Sequence, residues 1–246
     1  MNLRPLVAYL PWQARDVALK VFAPFLLFFV MAGLPLWGMA SEIDVSIFSR
    51  DARFQEIALR LWPGTAELCI TIGSILLMSG SFALDREKQH VRILFANQVP
   101  PAMFYLQRFA VGLGLFALSF TLVPVMFSQI VTVPVLGTLL ALLLTAFFIG
   151  SLALLIGACT QRDGLVFIAV YLVSNILQGL TQGGMGPNWL RGFAWILPPV
   201  KQLSDFSGAW LGGRTVEPTD LVLVLGYGVG MLVSALVLIK RAPLVR

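Results

Sequence analysis

The sequence predicts an all-α polytopic membrane protein with six transmembrane helices, an N-terminal amphipathic interfacial helix and a re-entrant outer segment before the last span. Its 246 residues are 58% hydrophobic and 12% charged, whereas an ordinary soluble domain carries roughly 25% charged residues. Apolar runs recur at the ~20 residues that a helix needs to cross a ~30 Å hydrocarbon layer. Basic residues lie at the ends of these runs and form no continuous stripe, which favours membrane orientation over nucleic-acid binding. Residues 1–246 are therefore predicted to form a single transmembrane domain.

The first element is predicted to be a cytoplasmic amphipathic helix within residues 1–20. Leu3, Val7 and Leu10 recur at helical spacing, and charged residues fall between them, a pattern typical of a helix lying on the membrane surface. The helix is expected to begin near Pro11, because a proline in a first turn lacks an N–H that would be unpaired anyway. A frayed tail is the alternative.

Six apolar stretches are each long enough to cross the bilayer. They are Val21–Ala40, Leu61–Leu84, Met103–Phe127, Val131–Cys159, Leu165–Gln182 and Leu221–Ile239. The first exceeds the usual apolar core of a signal peptide, so it is predicted to be an uncleaved span. Cys69 and Cys159 fall in different stretches, so we expect two buried, unbridged cysteines. With one histidine in the chain, no structural metal site is predicted.

The distribution of charge orients the spans. With a cytoplasmic N-terminus, eleven of the 17 basic residues fall on the inner side and six on the outer side. Short cytoplasmic loops are enriched in lysine and arginine. The chain is therefore predicted to lie in the cell inner (plasma) membrane with both termini in the cytoplasm.

The outer segment 183–220 contains the apolar run Phe193–Val200, which is too short to cross. It is predicted to enter the outer leaflet and return, an arrangement that other helices must shield because its backbone groups are unpaired. The residues that mark this re-entrant hairpin are Trp195, Pro198 and Pro199. The alternative is a surface loop anchored by tryptophans, which favour the membrane interface.

The inner loop 85–101 is the one place where charges cluster, and its candidate docking residues are Asp85, Arg86, Glu87, Lys88, His90, Arg92 and Pro100. Apolar residues alternate with these charges. The pattern predicts a short amphipathic helix with one face for lipid or the bundle and the other for water or a partner. A solvated loop that only fixes the topology remains the alternative.

This loop resembles the corresponding loop of the ABC-2-type exporter permeases. In that family the second span is followed by a pattern like E-R-E-x-G-T-L-x-x-L-x-x-x-P, which Arg86, Glu87 and Pro100 match in type and order. Asp85 is a conservative departure, and Gln89-His90 replaces the Gly-Thr pair. The resemblance extends over nearly the whole chain, from the amphipathic start through the spans to the outer hairpin.

The resemblance implies the membrane-spanning permease subunit of an ATP-binding-cassette exporter. The loop 85–101 would be the coupling helix for an ATPase, and Arg162 and Asp163 in the next inner loop would make a second contact. The chain has no G-x-x-x-x-G-K-[ST] phosphate loop, so ATP and Mg are expected in a separate nucleotide-binding subunit and no cofactor in this chain. A second permease chain is also implied, most simply as a homodimer.

Glu67 is the single acidic residue that this interpretation places inside a span. An embedded carboxylate is costly, which favours a role in the substrate path or at a dimer interface. The alternative is that Glu67 is a carboxylate at the outer surface, partnered by water or by Arg60. An ion or small-solute channel would need more polar residues along the spans, and an intramembrane enzyme would need a base that the loop residue His90 does not supply there.

Overall fold

A computed structural model describes residues 7–16, 18, 52–78, 100–128, 133–160, 163–182, 189, 192, 197–214 and 218–241. Every regular element in these ranges is an α-helix, which confirms the all-α prediction for this part of the chain. The predicted first span Val21–Ala40 lies outside the described residues, as does most of the inner loop 85–101.

The helices are α1 (7–16), α2 (Ala52–Met78), α3 (Pro101–Phe127), α4 (Val135–Cys159), α5 (Asp163–Gln182), α6 (Val200–Leu211) and α7 (Pro218–Arg241). Three of them, α3, α4 and α7, contain stretches long and apolar enough to cross a membrane. In α5 the corresponding apolar stretch is the shorter Val166–Thr181. The length and composition of these helices fit a transmembrane protein.

α4 is the central helix of the bundle. It carries no charged residue, and 67% of its apolar stretch is buried inside the protein. It contacts α2, α3, α5, α6 and α7. A helix that is apolar on every side can be covered by neighbours on every side, and this explains why the others assemble around it.

Residues from opposite ends of the chain meet at one end of the bundle, which we call the α1 end. Phe104 near the start of α3, Leu154 near the end of α4 and Ile239 near the end of α7 belong to one buried cluster, with Tyr9 of α1 packed against it. A second cluster joins Val123 near the end of α3 to Ala141 near the start of α4. α3 therefore runs antiparallel to α4 and α7.

α6 is a short helix that sequence reasoning did not predict. Its 12 residues span about 18 Å, less than the ~30 Å needed to cross. It packs against α2, α4, α5 and α7, and its buried residues are Val200, Leu203, Phe206, Ser207 and Leu211. The apolar side recurs at helical spacing, but intervening polar residues such as Lys201 and Asp205 concealed it within the outer segment.

Two sequence expectations are wrong in detail. Pro11 lies inside the helical residues 7–16 and not at the start of the helix. Because proline lacks only its own N–H, the cost there is one bond, to the carbonyl of Val7. Cys69 is buried as expected, but Cys159, the last residue of α4, is exposed, although Ile156 and Gly157 of the same turn are buried.

Two glycines allow helices to approach closely. A Cβ added at Gly228 of α7 would lie 2.6 Å from the Phe147 ring of α4, and one added at Gly137 would lie 2.5 Å from the carbonyl oxygen of Trp210. In contrast, a Cβ at Gly226 would meet nothing within 4 Å. The close contacts of α4 with α6 and α7 therefore require the absence of a side chain at these two positions.

Candidate functional site

The predicted site residues divide into those that the structure describes and those that it does not. Asp85, Arg86, Glu87, Lys88, His90, Arg92, Arg162 and Trp195 lie outside the described residues. Glu67, Pro100, Asp163, Pro198 and Pro199 lie within them. The docking residues thus stay a prediction, and the geometry concerns the Glu67 carboxylate and the helices that flank the predicted inner loops.

Pro100 links the inner loop directly to α3. Its carbonyl oxygen accepts the N–H groups of Met103 and Phe104, each at 3.1 Å, so it forms the first hydrogen-bonded turn of the helix. Pro101 then occupies the first helical position, where its fixed φ suits the helix and its missing N–H costs little. The loop that carries the predicted docking charges therefore ends at the rigid start of a long helix.

The second predicted inner contact is a short connection. α4 ends at Cys159, and α5 begins at Asp163. Thr160 closes α4, because both its N–H and its hydroxyl donate to the carbonyl of Ile156, at 2.8 and 2.9 Å. Because the connection is so short, the end of α4 and the start of α5 must be neighbours.

A buried ion pair fastens α1 to α3. Arg108 is 8% exposed, and its guanidinium donates to the Asp16 carboxylate at 2.6 Å. The same guanidinium lies 5.9 Å from the ring centroid of Trp12, a distance typical of a cation–π contact. Tyr9, one turn before Trp12 on α1, and Phe104, one turn before Arg108 on α3, meet edge to face with their ring centroids 5.8 Å apart. Sequence reasoning placed Arg108 and Asp16 on the inner side but could not pair them, since they are 92 residues apart.

Glu67 lies in a group of oxygen-bearing side chains from three helices, which we call the polar site: Glu67 and Thr71 of α2, Tyr171 of α5 and Ser204 of α6. The Ser204 hydroxyl donates to Glu67 Oε1 at 2.5 Å. Tyr171 shares a side-chain hydrogen bond with Thr71 and lies near enough for the Glu67 charge to act on its hydroxyl. The carboxylate therefore faces other helices of the same chain.

Arg60 is not the partner of this carboxylate. It forms an exposed ion pair with Glu56 at 2.6 Å, one turn away on α2. The expectation of an Arg60–Glu67 pair is wrong, because Arg60 precedes Glu67 by seven positions, about two turns, and Glu56 is nearer in the helix. The hydrogen-bond partner of Glu67 is instead Ser204, which lies 137 residues away in the chain.

Gln178 holds the segment that positions Ser204. This α5 residue is 4% exposed. Its amide nitrogen donates to the carbonyl of Pro198 at 2.7 Å, and its side-chain oxygen accepts the N–H of Lys201 at 2.9 Å. The N–H of Lys201 lies in the first turn of α6, where N–H groups have no helical acceptor, and the carbonyl of Pro198 also accepts the N–H of Val200 at 2.7 Å. Sequence reasoning missed Gln178, although an amide in an apolar span was a usable signal.

The polar site presents carboxylate and hydroxyl oxygens. The described residues contain no group of three or more histidine, cysteine, aspartate or glutamate side chains able to hold a metal ion. The Ser204 hydroxyl donates to the Glu67 carboxylate, a group that can accept a proton. The chemistry of the polar site is therefore that of hydrogen bonding and of charge.

Comparison with known proteins finds no match among protein-family models, curated proteins or solved structures.

Proposed function

We propose that the chain is the membrane-spanning permease subunit of an ABC-2-type exporter, driven by a separate ATPase subunit that binds ATP and Mg. The observation that carries the proposal is the attachment of the charged inner loop to α3 through Pro100. A loop pushed by a motor does work only if it is connected to rigid, packed elements. α3 meets this requirement, since it packs against α4 and is tied to α1 through Arg108.

The proposed topology places both termini in the cytoplasm and the chain in the inner membrane. Tyr9 of α1 packs against the buried cluster that contains Ile239, near the end of α7. Lys240 and Arg241 follow directly in the last turn of α7. Basic residues at this end agree with the positive-inside rule, which supports a common inner face for the N-terminal helix and the end of α7.

The proposed re-entrant element comprises the proline hairpin and α6. α6 is too short to cross and buries one side among other helices. Gln178 satisfies the backbone groups of Pro198 and Lys201, and non-helical backbone at membrane depth is tolerated only with such shielding. Trp189, by contrast, is 71% exposed, which suits the interfacial anchor of the surface-loop alternative.

Two permease chains are expected in the complete exporter. Nucleotide-binding ATPases act as pairs, so the family resemblance implies two membrane subunits, and a homodimer is the simplest closed arrangement. A channel is less favoured, because the predicted spans carry few charged or polar residues besides Glu67. An enzyme is less favoured because the single histidine of the chain, His90, lies in the loop 85–101 and not within a predicted span.

The proposal is tested by purifying the affinity-tagged chain from membranes of its own host in mild detergent. We expect a nucleotide-binding subunit to co-purify and to hydrolyse ATP. Scrambling residues 86–92 should abolish this association, because it removes the predicted docking face. The matched control is the exchange of Glu56 and Arg60, which form an exposed pair on α2. Absence of any ATPase subunit from the wild-type preparation refutes the proposal.

A further inference from the structure

Glu67 presents an unbalanced charge. Its carboxylate receives one hydrogen bond, from Ser204, and no lysine or arginine among the residues that the structure describes forms an ion pair with it. Glu67 is half-buried, and the cost of withdrawing an ionised carboxylate partly from water is offset when a positive group pairs with it. The site therefore has an electrostatic requirement that the described part of the chain does not meet.

The geometry of the polar site suits a positive ligand. Oxygen atoms converge from three helices: the carboxylate and Thr71 from α2, Tyr171 from α5 and Ser204 from α6. Glu67 Oε2 faces Gly208, and a Cβ added there would lie 3.8 Å from this oxygen. Glycine at this position therefore leaves the space beside the second carboxylate oxygen free of a side chain.

Two further buried hydroxyls lie on the same helices as members of the polar site. Ser174 lies one turn beyond Tyr171 on α5, and Ser207 lies one turn beyond Ser204 on α6. They are 0% and 2% exposed, and neither hydroxyl oxygen has a hydrogen-bond partner in the described ranges. Buried hydroxyls without partners are costly. A bound ligand or its associated water would satisfy them.

The charge of the site selects a monovalent ligand. A single carboxylate neutralises one positive charge, whereas a divalent cation would retain a net positive charge in a medium of low dielectric constant. Calcium in proteins also takes 6–8 oxygen ligands, commonly including several carboxylates. Hydroxyl oxygens complete the coordination of an alkali ion, and they accept the N–H groups of a protonated amine equally well.

We propose that the polar site of Glu67, Thr71, Tyr171 and Ser204 binds one monovalent cation, either an alkali ion or a protonated amine. The inference rests on the geometry of this chain alone. It needs neither the ATPase nor the docking residues of the inner loop. Its failure would therefore leave the proposed exporter intact, and the absence of an ATPase would leave the cation site intact.

The first test measures thermal unfolding of the purified full chain in lipid nanodiscs at low ionic strength. Sodium, potassium and methylammonium chloride are compared at equal concentration with the bulky N-methyl-D-glucamine chloride. We expect at least one of the first three to raise the unfolding temperature of the wild type, and the identity of that salt distinguishes an alkali ion from an amine. Glu67→Gln should abolish this shift, and Ser204→Ala should weaken the affinity roughly tenfold through loss of one charge-assisted hydrogen bond. The matched control Glu56→Gln removes an exposed carboxylate and should keep the shift.

The second test uses the wild-type chain only and does not depend on whether a variant folds. Dicyclohexylcarbodiimide adds to a protonated carboxyl group in an apolar environment, and the adduct rearranges to a stable N-acylurea with no atom lost. Mass spectrometry of the peptide containing Glu67 should show labelling that the binding cation slows. Labelling at an unchanged rate in every salt, or a thermal shift that Glu67→Gln retains, overturns the proposal.

Discussion

The ion pair between α1 and α3 allows a quantitative prediction. Asp16→Asn keeps the size of the side chain but removes its charge, and with it the carboxylate that the Arg108 side chain, 9% exposed, contacts at 2.6 Å. Removing one partner of a fully buried pair costs ~3–5 kcal/mol, whereas exposed pairs contribute ~0.2–1 kcal/mol. Because the Asp16 side chain is 34% exposed, we expect a loss between these limits, about 2 kcal/mol.

The consequence is local opening of α1. A loss of about 2 kcal/mol raises the open population about 30-fold, and amide hydrogen exchange of residues 7–16 should accelerate by the same factor. Mass spectrometry of the peptide covering α1, in detergent micelles, measures this rate. The control Glu56→Gln breaks an exposed pair, with side chains 78% and 63% accessible, and should leave α1 exchange unchanged.

A double substitution separates charge from packing. Replacing Asp16 by Leu and Arg108 by Met removes both charges, so no uncompensated guanidinium remains, and exchange should return most of the way to the wild-type rate. If Asp16→Asn exchanges within about twofold of the wild type, the ion pair contributes less than ~0.5 kcal/mol. The buried pair then does not hold α1 against α3.

Three further outcomes are expected. Gly228→Val should lower the free energy of unfolding by about 1–3 kcal/mol and with it the unfolding temperature, because its Cβ would lie 2.6 Å from the Phe147 ring. In the control Gly226→Val the new side chain enters open space. An equal effect of both substitutions would contradict the close-packing argument. Gln178→Leu should destabilise the protein by about 1–3 kcal/mol, because the N–H of Lys201 loses its side-chain acceptor and the carbonyl of Pro198 keeps only the N–H of Val200. Calorimetry showing no change would contradict this role. Scrambling 86–92 should leave the unfolding temperature of the chain unchanged while no ATPase activity co-purifies with it, and a lowered unfolding temperature would instead assign the segment to the fold.

The length of apolar runs predicted the long helices well, because the bilayer itself sets that length. α3, α4 and α7 lie where the composition placed them. α6 was missed for the same reason: with 12 residues it is shorter than any span, and its polar residues hide the apolar side. A rule based on bilayer thickness identifies helices long enough to cross and overlooks shorter ones.

The candidate site was predictable in part. A carboxylate inside an apolar run is identifiable from composition alone, and Glu67 was found in this way. Its partner Ser204 was not, because serine is common in spans and the two are 137 residues apart. The same holds for Asp16 and Arg108, whose pairing depends on how α1 packs against α3. Contacts between distant helices arise from packing, which a single sequence does not encode in any local pattern.

Gly137 carries a consequence for the divergence of related sequences. The carbonyl oxygen of Trp210 occupies the volume that any side chain at this position would need, so a single mutation here would displace the end of α6. Gly114, Gly226 and Gly230 meet no such neighbour. Over evolutionary time, we expect these three to be replaced freely by alanine or serine, while Gly137 remains glycine wherever α6 is retained.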